Sequence, residues 1–273
     1  IIVTISPDQK RAYISNHSGK TPASKAEAFQ HGHAGLVTVV NLKKALDPVN
    51  NGTLGAVEEF IDSEGFGANG FALLPDGKHG ALAHAEQKGN EDGGRHINIV
   101  DLKRGKVTLK IKQAYGKPGF PCPPDPVPHQ SPDPHFGCFP DTNGVTVSPL
   151  GGGLIFTANG GTDDVSVISV KRALKGLAKP EIARIPMQAG GFGVSTSPDG
   201  KLVAHASREN AQTGKEGNTV SLIDVERILK NPDKPKKAEV ARIRAGTDDK
   251  TVGTRPFVAA FTPDGARLVT TQF

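Results

Sequence analysis

A five-residue turn, Ser197-Pro198-Asp199-Gly200-Lys201, recurs along the chain with an extended run on either side, and no other feature restricts the fold as much. Proline presets φ at the first central position, aspartate hydrogen-bonds its own backbone, and glycine accepts positive φ. Each copy therefore reverses the chain between two strands. The other copies are Ser6-Pro7-Asp8-Gln9-Lys10, Leu74-Pro75-Asp76-Gly77-Lys78, Thr262-Pro263-Asp264-Gly265 and the eroded Ser148-Pro149-Leu150-Gly151. Strand-like runs such as Val258-Ala259-Ala260-Phe261 precede them. Runs such as Arg11-Ala12-Tyr13-Ile14-Ser15-Asn16 and Leu154-Ile155-Phe156-Thr157-Ala158-Asn159 follow. The unit is a β-hairpin used five times.

In four of the five units a second hairpin follows. Its first strand alternates apolar and polar residues, as in Thr219-Val220-Ser221-Leu222-Ile223-Asp224-Val225, and its second is of the type Glu239-Val240-Ala241-Arg242-Ile243. Four antiparallel strands per repeat, lettered a to d from the axis outward, make the blade of a β-propeller. The expected fold is all-β: four complete four-stranded blades and part of a fifth, over residues 1–273 as a single domain. The turn prolines are spaced 68, 74, 49 and 65 residues apart. Both ends of the chain supply strands a and b, so they cannot complete each other's blade, and the sequence reads as a fragment of a larger, about seven-bladed ring.

The turn, a strand b ending in Asn16 or Asn159, a strand c of the type Val-Ser-Leu-Ile-Asp-Val and a strand d of the type Glu-Val-Ala-Arg-Ile together resemble the YVTN family of β-propeller repeats, over nearly the whole chain. Tyr13-Ile14-Ser15-Asn16 is the nearest copy of the family tetrapeptide, which is nowhere spelled out. The resemblance implies a fold and a range of functions, because the family includes surface-layer proteins, lactonase-like proteins and the propeller domains of copper and haem redox enzymes.

Composition narrows the range. With 33 basic and 28 acidic residues the net charge is +5, and no basic groove interleaved with aromatics occurs, so nucleic acid is not an expected partner. No apolar run approaches the roughly 20 residues that cross a bilayer. Catalytic triads, nucleophile elbows, phosphate loops and dinucleotide fingerprints are missing. Cys122 and Cys138 lie in a proline-rich insertion, residues 113–141, which has too few apolar residues for a core of its own. A disulfide is the main reading and points to the periplasm or the cell exterior. Two free thiols, or a metal site with His129 and His135, are the alternatives.

Drawn on the blades, eight of the nine histidines fall on the face of the b–c loops and d–a crossings, and only His79 falls on the other. Long polar loops accumulate histidines without function. A ligand or metal site would also explain the gathering, with His17, His31, His33, His84 and His205 as candidate ligands of copper or another transition metal. Histidines from several blades hold copper near the axis in nitrous-oxide-reductase-like and thiocyanate-dehydrogenase-like propellers, which the set resembles in kind. Asn69 and Asn143 each lie six residues before their turn proline and should stand at matching positions around the axial opening; Arg255 is the basic group expected there. All three are candidate ligand-binding residues, although asparagine before a strand also shapes a turn.

The c–d connections repeat a lysine-rich helical turn, Lys43-Lys44-Ala45-Leu46, Lys171-Arg172-Ala173-Leu174 and Arg227-Ile228-Leu229-Lys230, whose leucines are expected to cap the blade edge. Two functions follow. One is an extracytoplasmic platform that binds a protein partner or a small-molecule ligand on the histidine-rich face. The other is the propeller of a copper-dependent redox enzyme with its site on that face.

Overall fold

The computed structural model describes residues 2–17, 34–85, 94–117, 119–122, 124, 137–210, 215–245 and 255–272. Four four-stranded sheets and one two-stranded sheet follow one another along the chain, and every strand pairing is antiparallel. The first blade holds β1 (Val3–Ile5), β2 (Arg11–Asn16), β3 (Ala34–Asn41) and β4 (Val57–Phe66). The second holds β5 (Ala68–Leu73), β6 (His79–His84), β7 (His96–Asp101) and β8 (Lys106–Lys112). The third holds β9 (Thr142–Ser148), β10 (Leu154–Asn159), β11 (Asp164–Ser169) and β12 (Glu181–Pro186). The fourth holds β13 (Gly191–Thr196), β14 (Leu202–Asn210), β15 (Lys215–Asp224) and β16 (Glu239–Arg244), and β17 (Pro256–Phe261) pairs with β18 (Leu268–Gln272). The chain is all-β and built as propeller blades. β4 and β15 run longer than their apolar patterns suggest, because ladder pairing with β3 and β14 continues past the last buried side chain.

The turns form as their residues dictate. Ser197 Oγ donates to Asp199 Oδ1 at 2.6 Å, and the same carboxylate accepts from Lys201 N at 3.0 Å, while Gly200 takes φ 76°. Ser6 and Asp8 repeat the first bond at 2.6 Å. Three of the four c–d connections begin with a short helix: α1 (Leu42–Ala45), α2 (Val170–Leu174) and α3 (Val225–Lys230). Asn41, Ser169 and Asp224 cap them, each accepting from the amide three residues on, which satisfies one orphan donor.

The second, third and fourth sheets bury apolar side chains on both faces and the two end sheets on one, so the core is a set of seams rather than one centre. Tyr13, Val37 and Ile61 meet Phe71, Leu82 and Val100 between the first two blades, and Ile97 and Ile99 meet Ile155 and Ile168 at the next seam. Phe156, Val167 and Ile185 meet Val203, Ile223 and Ile228 at the third, and Ala204 and Ala206 face Ala259 at the fourth. One expectation is corrected. Leu46, Leu174 and Leu229 do not cap the edge; they are 84%, 45% and 40% exposed. The buried residues are Val170 and Ala173 in α2 and Val225 and Ile228 in α3, one turn and one residue before each leucine, because a helix so short presents a single face to the sheet.

Candidate functional site

The innermost strands β1, β5, β9, β13 and β17 surround an axial cavity of about 550 Å³. Three glycines set how closely these strands approach. A Cβ on Gly70 would lie 2.9 Å from Val145 N, one on Gly144 2.6 Å from Phe192 O, and one on Gly193 2.5 Å from Phe257 O. All three stand five residues before a turn proline, so the repeat itself places a glycine wherever neighbouring strands touch. Hydroxyls tie the wall: Thr4 Oγ1 donates to Phe71 O at 2.7 Å, Ser195 Oγ to Ala259 O at 2.6 Å, and Thr146 and Thr196 share a bond of 2.9 Å.

One residue earlier in each repeat lies the rim of the mouth. Asn69 Nδ2 donates to Asn143 Oδ1 at 3.3 Å, and Asn143 Nδ2 donates on to Gly191 O at 3.3 Å, linking blades two, three and four. The matching positions expected of Asn69 and Asn143 are thus real. The same count gives Phe192 and Phe257, whose ring centroids are 3.9 Å apart and tilted by 31°. The Arg208 guanidinium lies 5.6 Å and 5.7 Å from the two rings, within cation–π range. The rim therefore has an amide half and an aromatic half with a cation beside it. Phe192, Phe257 and Arg208 escaped the sequence reading, although counting six residues back from Pro198 and Pro263 finds both rings. Arg255 is exposed, immediately ahead of β17.

The candidate metal ligands are not brought together. His31 and His33 lie outside the described residues, as do His129 and His135, and His17 is half-buried just past β2. His84 fills the space over Gly65 in the outer strand of the first blade, where an added Cβ would sit 2.5 Å from its Nε2. Its Nδ1 lies 3.3 Å from His96 O. His205 instead lies over Gly191, two blades further round, with Nδ1 3.4 Å from Ser207 Oγ and Nε2 buried without a hydrogen-bond partner. Burial lowers its pKa from 6.5 to about 4, so the ring is neutral. Among the described residues no three His, Cys, Asp or Glu side chains are grouped to hold a metal ion.

The insertion starts from a buried polar network. Asp164 pairs with Arg184 at 2.5 Å, Asp163 with Lys117, and Arg184 Nη1 donates to Gly116 O at 2.7 Å. Gln113 Nε2 donates to Asn159 Oδ1 and Ser166 Oγ, both at 3.0 Å, and Ala114 N donates to Glu181 at 2.7 Å. Burial pushes the carboxyls of Asp164 and Glu181 up against the pull of Arg184. The carboxylates of the Gly160–Asp164 turn are thus structural, spent on fixing residues 113–117 to the third blade. Further along, Cys122 and Cys138 are joined, with Cα atoms 5.8 Å apart, and Cys138 is fully buried. A second cavity, about 690 Å³, lies on this flank between Arg184 and Lys234, and two of its three aspartates, Asp163 and Asp164, are already paired.

No protein-family model and no curated protein matches the chain. Solved structures do resemble it. Hydrazine synthase of Kuenenia stuttgartiensis matches at 20% identity and a TM-score of 0.59, over 99% of this chain and 54% of that one. A functionally unknown protein from Desulfotomaculum acetoxidans matches at 12% and 0.60, over 99% and 62%. A periplasmic gluconolactonase of Pseudomonas aeruginosa matches at 14% and 0.63, over 98% and 63%. The likeness is one of fold, and the chain spans less than two thirds of each of these proteins.

Proposed function

We propose that the chain is the ligand-binding propeller of an extracytoplasmic protein with YVTN-type repeats, and that its ligand, a small organic molecule, enters the axial mouth. Residues 1–273 act as one domain, with 113–141 as an insertion. What carries the reading is the axial cavity, to which every blade contributes an inner strand and whose rim sets the amide of Asn69, braced by Asn143, against the rings of Phe192 and Phe257. Mostly apolar walls with a few convergent polar groups are what small-molecule sites are made of. The Arg208 cation suits a planar or apolar ligand bearing a carboxylate.

The repeat chemistry supports the YVTN assignment. Asn16 Nδ2 donates to Thr38 Oγ1 at 2.7 Å and Asn159 Nδ2 to Ser166 Oγ at 2.9 Å, so the asparagine ending strand b clamps strand c in both blades. The disulfide supports an oxidising compartment, and one structurally similar protein is periplasmic. The copper-dependent alternative draws nothing from the described histidines, and we do not advance it.

Isothermal titration with a panel of small aromatic carboxylates tests the proposal. Binding is expected, weakened about tenfold or more in Phe192→Ala and in Asn143→Ala, as loss of one good contact implies. Binding that neither variant changes, or no binding across the panel, overturns it.

A further inference from the structure

The face opposite the mouth carries a charge imbalance. Antiparallel pairing puts the a–b turns and c–d links at the same end of every blade, so residues 6–11, 74–79, 148–153, 197–202 and 262–267 gather with 41–56, 101–106, 169–180 and 224–238. These segments hold 19 of the 33 basic residues and 9 of the 28 acidic ones, a net of +10. The rest of the chain, 14 basic against 19 acidic, is −5. The molecule is polarised, and its modest total charge conceals this.

The same links expose aliphatic side chains. Leu46, Val49 and Leu54 are 84%, 75% and 70% exposed on the first blade, and Leu174 and Leu177 are 45% and 49% exposed on the third. α1 buries no residue at all, although it is formed and capped. Lys43, Lys44, Lys171 and Arg172 stand within a few residues of these tips.

We infer that this face docks on the surface of a bilayer containing anionic lipid. Small groups of aliphatic tips on the same face, with cations beside them in the chain, fit a flat, fluid surface: the tips enter the boundary of headgroups and acyl chains while lysines meet phosphates. A soluble polyanion would use the cations and leave the leucines idle. A folded protein partner would call for one contiguous apolar patch, whereas these tips sit on links of separate blades.

Co-sedimentation of the full chain with vesicles tests the inference. Binding is expected to phosphatidylcholine vesicles containing about a third phosphatidylglycerol, not to phosphatidylcholine alone, and should fall away in about 0.5 M salt. Lys43→Glu/Lys44→Glu/Lys171→Glu/Lys175→Glu and Leu46→Ser/Leu54→Ser/Leu177→Ser should each weaken binding about tenfold or more with an unchanged melting curve, since every site is on the surface. Asn143→Ala, at the opposite mouth, should bind vesicles like the parent, which separates this inference from the ligand site. Failure to sediment with the anionic vesicles overturns the docking. So does a serine variant that binds undiminished, or binding to heparin as tight as to vesicles, since either reduces the face to a polyanion binder.

Discussion

His205 shows what one buried side chain does to the stability of the whole. The ring is sealed between blades three and four, and the cost of burying charge holds it neutral with a pKa of about 4 against 6.5 in the open chain. As pH falls the unfolded chain takes the proton first, so the stability is intact above about pH 6.5 and is lost as pH drops toward 4. The full shift corresponds to about 3 kcal/mol. Urea unfolding at pH 7 and pH 4 should show the parent losing about that much more than His205→Leu, which has no proton to bind. Equal losses in the two proteins would show that the ring is not sealed. This candidate metal ligand is thus a neutral packing group.

Among the elements, the insertion depends most on covalent chemistry. Residues 113–117 are fixed to the third blade through Gln113, Lys117 and Arg184, but beyond them the proline-rich loop has little to bury. The Cys122–Cys138 bridge closes a separation of 16 residues, and removing it should cost up to about 3 kcal/mol by the chain-entropy argument. Cys122→Ser/Cys138→Ser is expected to be cut by chymotrypsin first within residues 113–141, after Phe136, since proline follows both Phe120 and Phe139, while the blades stay intact. First cuts inside a blade would mean that the bridge supports the whole molecule. The hairpins need no such staple, because a turn such as Ser197-Pro198-Asp199-Gly200 is locally bonded and the strands it joins are packed into seams.

At the scale of the molecule, the spacing of the blades around the axis rests on glycine. Gly144 touches the Phe192 carbonyl and the Val194 side chain, so a methyl group there meets backbone that cannot swing aside. Gly144→Ala should cost about 2 kcal/mol or more by overpacking, and it should also blunt ligand binding by widening the rim. Thermal unfolding and the titration described above read the two effects separately. A loss below about 0.5 kcal/mol would show that the inner strands are less tightly apposed than they look.

The sequence by itself determined the repeat, the strand order and the helical turns of the c–d links, and it favoured the pairing of the two cysteines. Each of these is written in short-range chemistry: φ preset by proline, an aspartate bonding its own turn, alternation of apolar residues, and a loop that cannot pack without a bridge. Counting from the turn prolines even brought Asn69 and Asn143 to one ring, because repeats convert sequence offsets into positions about an axis. Tertiary structure alone decided which way side chains were spent. His84 and His205 separated into different seams because each blade turns away from the last, so a shared face does not mean a shared centre. Phe192, Phe257 and Arg208 meet across two blades through no contact that one repeat encodes. Asp163 and Asp164 look like an ordinary polar turn until the chain returns 46 and 20 residues away, at Lys117 and Arg184, to bury them. Long-range packing sets that burial, and the cost of burying a charge then fixes each partner.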